Sequence, residues 1–191
     1  MPLETVHEGS VIHPLAAKSV FWELKTTVSD PAFEKEAWIS AALILFGECG
    51  FSIADKATIF FCSRDLAPGV AKMPTAPLSE DAVFLSSIFI NPECALRGLD
   101  TVLVDAAIMN LSSRNFPAVE AFGYRDHNEA RALLGSKPAF IGLPPVESLE
   151  SAGFSVIRDH PITPRLRLEL PPKFDLLTAA AAEDLLAQAL A

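Results

Sequence analysis

The sequence predicts one α/β domain with a helical tail, on three observations. Two strongly apolar, strand-length runs, Ala82–Ile90 and Ala118–Phe122, flank a stretch with helical spacing. Strand, helix, strand in that order normally makes a parallel pair joined by a right-handed crossover. An Ala/Leu-rich segment, Asp175–Leu190, follows the Pro171-Pro172 break at the end of the chain.

The bulk properties suit such a domain. The chain has 191 residues, half of them hydrophobic, with a mean hydropathy of +0.32. That is ample for one large core and excludes disorder as the main state. Acidic residues outnumber basic ones 24 to 15, the net charge is −9 and the pI is about 4.9. A chain this acidic lacks the basic face that nucleic acids and anionic membranes require, though its charge permits a cationic substrate. Met1-Pro2-Leu3-Glu4 lacks the basic cluster and apolar run of a signal peptide. No apolar stretch approaches the roughly 20 residues needed to cross a bilayer. Cys49, Cys62 and Cys94 are odd in number and widely spaced, which suits free thiols in a reducing cytoplasm and offers neither a disulfide frame nor a zinc site.

Taken in order, residues 1–18 are polar and unpatterned and read as a loosely held lead-in. Val20–Leu24 reads as a short strand. Asp30-Pro31 starts a helix, because Asp caps free amides and Pro fits the first turn. Phe33, Ala37, Ala41 and Leu45 then share one face, and Gly47 stops the helix. Gly50–Ala54 and Ala57–Cys62 read as a hairpin around Asp55-Lys56. Residues 65–80, with Pro68, Gly69, Pro74 and Pro77, form an irregular excursion. Ala82–Ile90 is the central strand and Pro92 ends it. Thr101–Arg114 is helical, and Ala118–Phe122 is the second central strand. A helical turn at Asn128–Leu134 and a short helix at Pro145–Ser151 precede strands at Phe154–Arg158 and Arg165–Leu170. In the tail, Leu177, Ala181 and Leu185 line up, so this helix must pack either on its own domain or on a second copy in a homodimer. The division is therefore a lead-in (1–18), a domain (19–170) and a C-terminal helix (171–191).

The informative stretch is Asp81 to Leu111. An apolar strand delivers the chain through Asn91-Pro92-Glu93 and Arg97-Gly98 to a helix start, whose first amides are unpaired and carry the positive end of the helix dipole. Gly98 allows close backbone approach and Arg97 adds charge, so phosphate is the natural guest. Any strand–turn–helix connection supplies such amides, so a purely structural turn stays open.

The run Ile88-Phe89-Ile90-Asn91-Pro92-Glu93-Cys94-Ala95-Leu96-Arg97-Gly98-Leu99-Asp100, followed by Val102-Leu103-Val104, resembles the acetyl-CoA motif of the GNAT superfamily N-acetyltransferases. Leu149-Glu150-Ser151-Ala152-Gly153-Phe154 is similar to that family's helix ending in Gly-Phe before a strand. With Arg165–Leu170 and the tail included, the chain looks most like an actinobacterial branch of unknown substrate. The resemblance implies a mixed, mostly antiparallel sheet with a splayed central parallel pair, helices on both faces and an added C-terminal helix. It also implies acetyl-CoA as co-substrate, an amine acceptor and no metal. The backbone of Ile88-Phe89-Ile90 would bond the pantetheine arm and acetyl carbonyl. The amides of Leu96, Arg97, Gly98, Leu99, Asp100 and Thr101 would hold the pyrophosphate.

Two positions depart from the motif. Ala95 stands where the family carries Arg or Gln. Asp100 stands where it carries a small residue, and a carboxylate capping that helix start would take the amides and repel phosphate. The family's leaving-group acid, a Tyr before Gly-Phe, corresponds to Leu149 or its neighbours, and Tyr124 is the only tyrosine. Glu120, with His127 beyond it, is the candidate general base, against an ordinary strand-end residue and a solvated loop residue respectively. Ser86 and Ser87 lie within the central strand, where hydroxyls bond neighbouring backbone. His7, His13 and His160 are too separated to suggest a metal cluster. No nucleophile elbow, P-loop or dinucleotide fingerprint is present. The rival reading is a domain of the same fold with weakened CoA binding that acts through protein contacts.

Overall fold

The computed structural model describes residues 2–191. Seven strands form one sheet: β1 (Glu4–Thr5), β2 (Gly50–Ile53), β3 (Ala57–Cys62), β4 (Ala82–Ile90), β5 (Ala118–Phe122), β6 (Ser155–Arg158) and β7 (Arg165–Glu169). Their order is β1-β2-β3-β4-β5-β7-β6, and every neighbouring pair is antiparallel except β4–β5, which is parallel. The helices are α1 (Pro14–Lys18), α2 (Pro31–Leu45), α3 (Leu99–Ser113), α4 (His127–Leu134), α5 (Val146–Ser151) and α6 (Ala179–Leu190). Among the described residues no helix is long and apolar enough to cross a membrane.

Strand alternation divides the core between the two faces of the sheet. Ile59, Phe61, Val83 and Leu85 pack with the buried side of α3, Leu103, Ala107 and Leu111. Phe60, Phe84, Phe89 and Phe122 pack on the other face with Trp22 and with Trp38, Ile39 and Ala42 of α2. Trp22 stacks parallel to Phe122 and donates its indole N–H to the Ile141 carbonyl at 2.7 Å.

Four local expectations change. The lead-in is not loose: β1 pairs with β2, Val6 and Ala16 are fully buried, and the His13 amide donates to Thr58 Oγ1 at 2.9 Å. A polar segment can dock when its amides find fixed acceptors, which a hydropathy pattern does not register. Val20–Leu24 is a turn rather than a strand, with the Leu24 amide donating to the Val20 carbonyl. In α2 the Asp30 cap forms on the Phe33 amide, yet Phe33 and Leu45 are exposed and the inward face is Lys35, Trp38, Ile39 and Ala42. Lys35 earns its burial by an ion pair with Glu23 and by lying over the Phe60 ring at 4.7 Å. The tail helix begins at Ala179, capped by Thr178 Oγ1, and buries Leu186 and Ala189 against its own domain, beside α3.

Candidate functional site

The site grows out of the β4–β5 seam. The two strands pair only over Ala82–Phe84 and Ala118–Glu120, after which β4 runs on to Ile90 with no strand on that side. A wedge holds them apart. The Ile88 amide donates to the Gly142 carbonyl at 2.8 Å, while beyond β5 the Tyr124 amide donates to Pro144 and the Val146 amide to Tyr124. Gly142 is required there: its φ is +65°, and a Cβ on it would lie 2.5 Å from Ser87 Cβ. Ser86 and Ser87 behave as their strand position suggests, with Ser86 Oγ donating to the Phe60 carbonyl.

Below the wedge the splay encloses a cavity of about 630 Å³. The Ile88–Ile90 end of β4 crosses it. Ile88 and Ile90 turn toward the α3 face, Phe89 toward the α1 face, so the cavity reaches both sides of the sheet. The β3 register puts the Phe89 amide on β3 and aims the Ile88 and Ile90 amides at the open side. Of the two amides expected to meet an acyl group, Ile88 is therefore already taken by Gly142, and Ile90 is the one that faces the cleft.

On the α1 face the cavity is lined by His13, Tyr124 and His127. His13 is 5% exposed and caps α1, its Nδ1 accepting the Leu15 amide at 3.1 Å. Burial lowers its pKa against the opposing pull of Asp55, so the ring is neutral near pH 7 and its proton sits on Nε2. Among the described residues Nε2 bonds no protein group, and it is a donor for the cavity. Sequence reasoning missed this residue, because only the fold brings position 13 against Phe89, whose ring stacks on it at 6.0 Å. Burial raises the Tyr124 hydroxyl above its ordinary value, which keeps it protonated. His127, the first residue of α4 rather than a loop residue, meets the Tyr124 ring edge-on at 6.3 Å.

Glu120 is not part of this cavity. It is fully buried at the paired end of the seam, with Oε2 accepting from Arg165 at 2.6 Å and from the Ser79 amide at 3.1 Å, and Oε1 accepting from Arg167 at 3.2 Å. Burial pushes its pKa up, but the Ser79 bonds and the two guanidinium groups outweigh that and hold it below the ordinary carboxylate value. A carboxylate engaged on both oxygens, away from the cleft, is no general base.

On the α3 face lie the phosphate-type amides. The helix starts at Leu99, two residues earlier than its spacing suggests, so its N-cap is Gly98 (φ +84°), which has no side chain to cap with. Asp100 is thus the second helical residue and does not cap; its carboxylate lines the cavity instead. The amides of Leu99, Asp100 and Thr101 have no partner within the helix. Leu96, at φ +62°, is fully exposed. Asp105 and Asp175 also line the cavity, and no Lys or Arg does.

The tail lies across this helix start. Arg97 Nη1 donates to the Ala189 carbonyl at 3.1 Å, and Leu185 sits 3.2 Å from where a Cβ on Gly98 would stand. The Leu177 amide donates to Asp105 Oδ2 at 2.9 Å, and residues 174–178 with Ala181 form one wall of the cavity.

No protein-family model matches the chain, and no curated protein matches its sequence. Solved structures match its fold. An N-acetyltransferase from Staphylococcus aureus Mu50 superposes with a TM-score of 0.56 at 10% identity, over 88% of this chain and 98% of that one. The chain has the GNAT fold. The ribosomal-protein-S18-alanine N-acetyltransferase from Escherichia coli also aligns, over 93% of this chain and 98% of its own, with a TM-score of 0.46 and 14% identity.

Proposed function

We propose that this protein is an acetyl-CoA-dependent N-acetyltransferase acting on an amine. The observation that carries the reading is the splayed β4–β5 cleft, where a cavity of about 630 Å³ brings together three potential donors, His13, Tyr124 and the Ile90 amide, at the acyl end. The acyl end of the co-substrate fits this space. The phosphate end fits the α3 amides in chemistry, but α6 lies beside them on Gly98 and Arg97, so that end competes with the helix for this approach.

The acetyl thioester supplies the acyl group. The neutral amine attacks its carbonyl carbon, the carbon–sulfur bond breaks, the nitrogen loses a proton and the sulfur gains one. The Ile90 amide and His13 Nε2–H donate to the carbonyl oxygen as charge builds there. His127, at the cavity edge, accepts the amine proton. Tyr124, kept protonated by burial, returns one to the leaving sulfur.

Calorimetric titration with acetyl-CoA tests the reading. Asp100→Asn removes a negative charge from the phosphate end and is expected to tighten binding about tenfold, or about 1.4 kcal/mol. Because Asp100 is not the cap of α3, stability should change by less than about 1 kcal/mol. The alternative reading is a GNAT-fold domain with weakened CoA binding that acts through protein contacts. Absence of binding by wild type, by Asp100→Asn and by the helix-released variant described below would select it.

A further inference from the structure

In the region expected to receive phosphate the chain's own C-terminal helix lies against Arg97 and Gly98, two groups a phosphate would also use. Arg97 is the one cation between Leu96 and Thr101, and its guanidinium donates to Ala189, a carbonyl in the last turn of α6. That turn is the negative end of a helix dipole, so α6 offers Arg97 what a phosphate would offer. Gly98, whose bare backbone would admit a pyrophosphate, is instead covered by Leu185. Thr178 and Ala181 line the same cavity as Asp100 and Thr101, and the same segment adds Asp175 to its carboxylates. Docked, the tail therefore opposes a polyanion by volume, by competition for Arg97 and by charge.

Within α6 only Leu186 and Ala189 are buried, with Ala182, Leu185 and Leu190 half-buried beside them, and the chain from Leu170 to Thr178 contains no helix or strand. An Ala-rich helix of this length is marginal alone, so it exists chiefly while it is seated.

We infer that residues 171–191 form an autoinhibitory cover, with docking of α6 and binding of the phosphate end of acetyl-CoA mutually exclusive at the start of α3. The inference rests on the acetyl-CoA reading of the cleft. A ligand that binds only the uncovered form has its affinity reduced by the fraction of molecules uncovered, and releasing the helix restores it.

The test uses the full chain and acetyl-CoA, with affinity read by calorimetry and helix docking by hydrogen–deuterium exchange. Acetyl-CoA is expected to speed exchange at 179–190 and to slow it at 99–101. Leu186→Asp places a carboxylate in the buried seat; its helix should exchange freely and its affinity for acetyl-CoA should rise at least about tenfold. If that variant does not fold, Leu185→Ala, which removes only the contact on Gly98, should still raise affinity severalfold. Released helix with unchanged affinity, or acetyl-CoA that slows exchange at 179–190, overturns the cover and leaves the acetyl-CoA reading standing. Released helix with no binding at all overturns the acetyl-CoA reading, and the cover with it.

Discussion

At its first three pairs the β4–β5 seam is closed, and the charges beside it are matched: Glu120 meets Arg165 and Arg167, and Arg167 in turn holds Asp81 with two bonds of 2.8 Å and Glu169 at 2.6 Å. A few residues along the same two strands, the seam is open, and its polar groups are left for a guest. Among the described residues His13 Nε2, the Tyr124 hydroxyl and the Ile90 amide have no hydrogen-bond partner, and Asp100 lines the cavity without an ion pair. The same strands thus serve stability at one end and ligand contact at the other. What separates the two is whether a donor and an acceptor already meet: a buried carboxylate with three donors holds the sheet together, whereas unspent donors on a cavity wall are where chemistry can enter.

The sharpest way to break the closed end is Glu120→Ala, which leaves Arg165 and Arg167 facing an empty buried seat. Thermal or urea unfolding should show a loss of about 3–5 kcal/mol. The same carboxylate sets an acid limb. Its pKa is depressed in the folded chain from the ordinary 4.5, so the unfolded chain binds more protons as pH falls. The stability it contributes is complete above about 4.5 and is lost as pH drops through the folded value. Glu120→Gln should flatten that limb in an acid titration of unfolding.

Gly142→Val tests the wedge without touching the closed end. A branched side chain at φ +65° would press on Ser87 Cβ and the Phe89 ring, 2.5 Å and 2.8 Å from its Cβ. The expected cost is about 2–4 kcal/mol by chemical denaturation, from overpacking and the left-handed backbone together. A cost below about 1 kcal/mol would mean the wedge yields easily and does not hold the strands apart.

Tyr124→Phe should have the smallest effect on stability, within about 0.5 kcal/mol, because the hydroxyl has no protein partner to lose. Acetyl transfer should nonetheless slow by about a hundredfold if that hydroxyl protonates the leaving sulfur. An unchanged rate alongside unchanged stability would remove Tyr124 from the mechanism and leave the proton to solvent.

Most elements were legible because they are local in origin. Ala82–Ile90 and Ala118–Phe122 appear in the structure with the predicted bounds, since an apolar run closed by Pro92 or opened by Pro117 needs no distant partner to be recognised as a strand. The parallel pairing followed from the helix between them. The faces of helices were less legible. The inward face of α2 includes Lys35, which only Glu23 makes buriable, and a pattern of apolar residues counts lysine as outside.

The candidate site divides in the same way. The motif located the strand end and the helix start, and Gly98 does adopt the left-handed conformation that such a turn uses. Assigning Glu120 to chemistry failed because a carboxylate in a strand reads the same whether it meets two arginines or a substrate; Arg165 and Arg167 become its neighbours only through β5–β7 pairing. His13 was weighed only as a metal ligand for the converse reason, since its tautomer and burial depend on Leu15, Thr58 and Phe89 from three separate elements.

By itself, then, the sequence determined the strands and helices from Pro31 onward and which connection carries unpaired amides, because hydrophobic period, proline and glycine act over a few residues. Only the tertiary structure decided which titratable groups are spent and which are free, that Gly142 occupies the Ile88 amide, and that α6 lies on Arg97 and Gly98. Those outcomes are contacts between residues tens of positions apart, and the chain sets them through packing of whole elements, not through any local pattern.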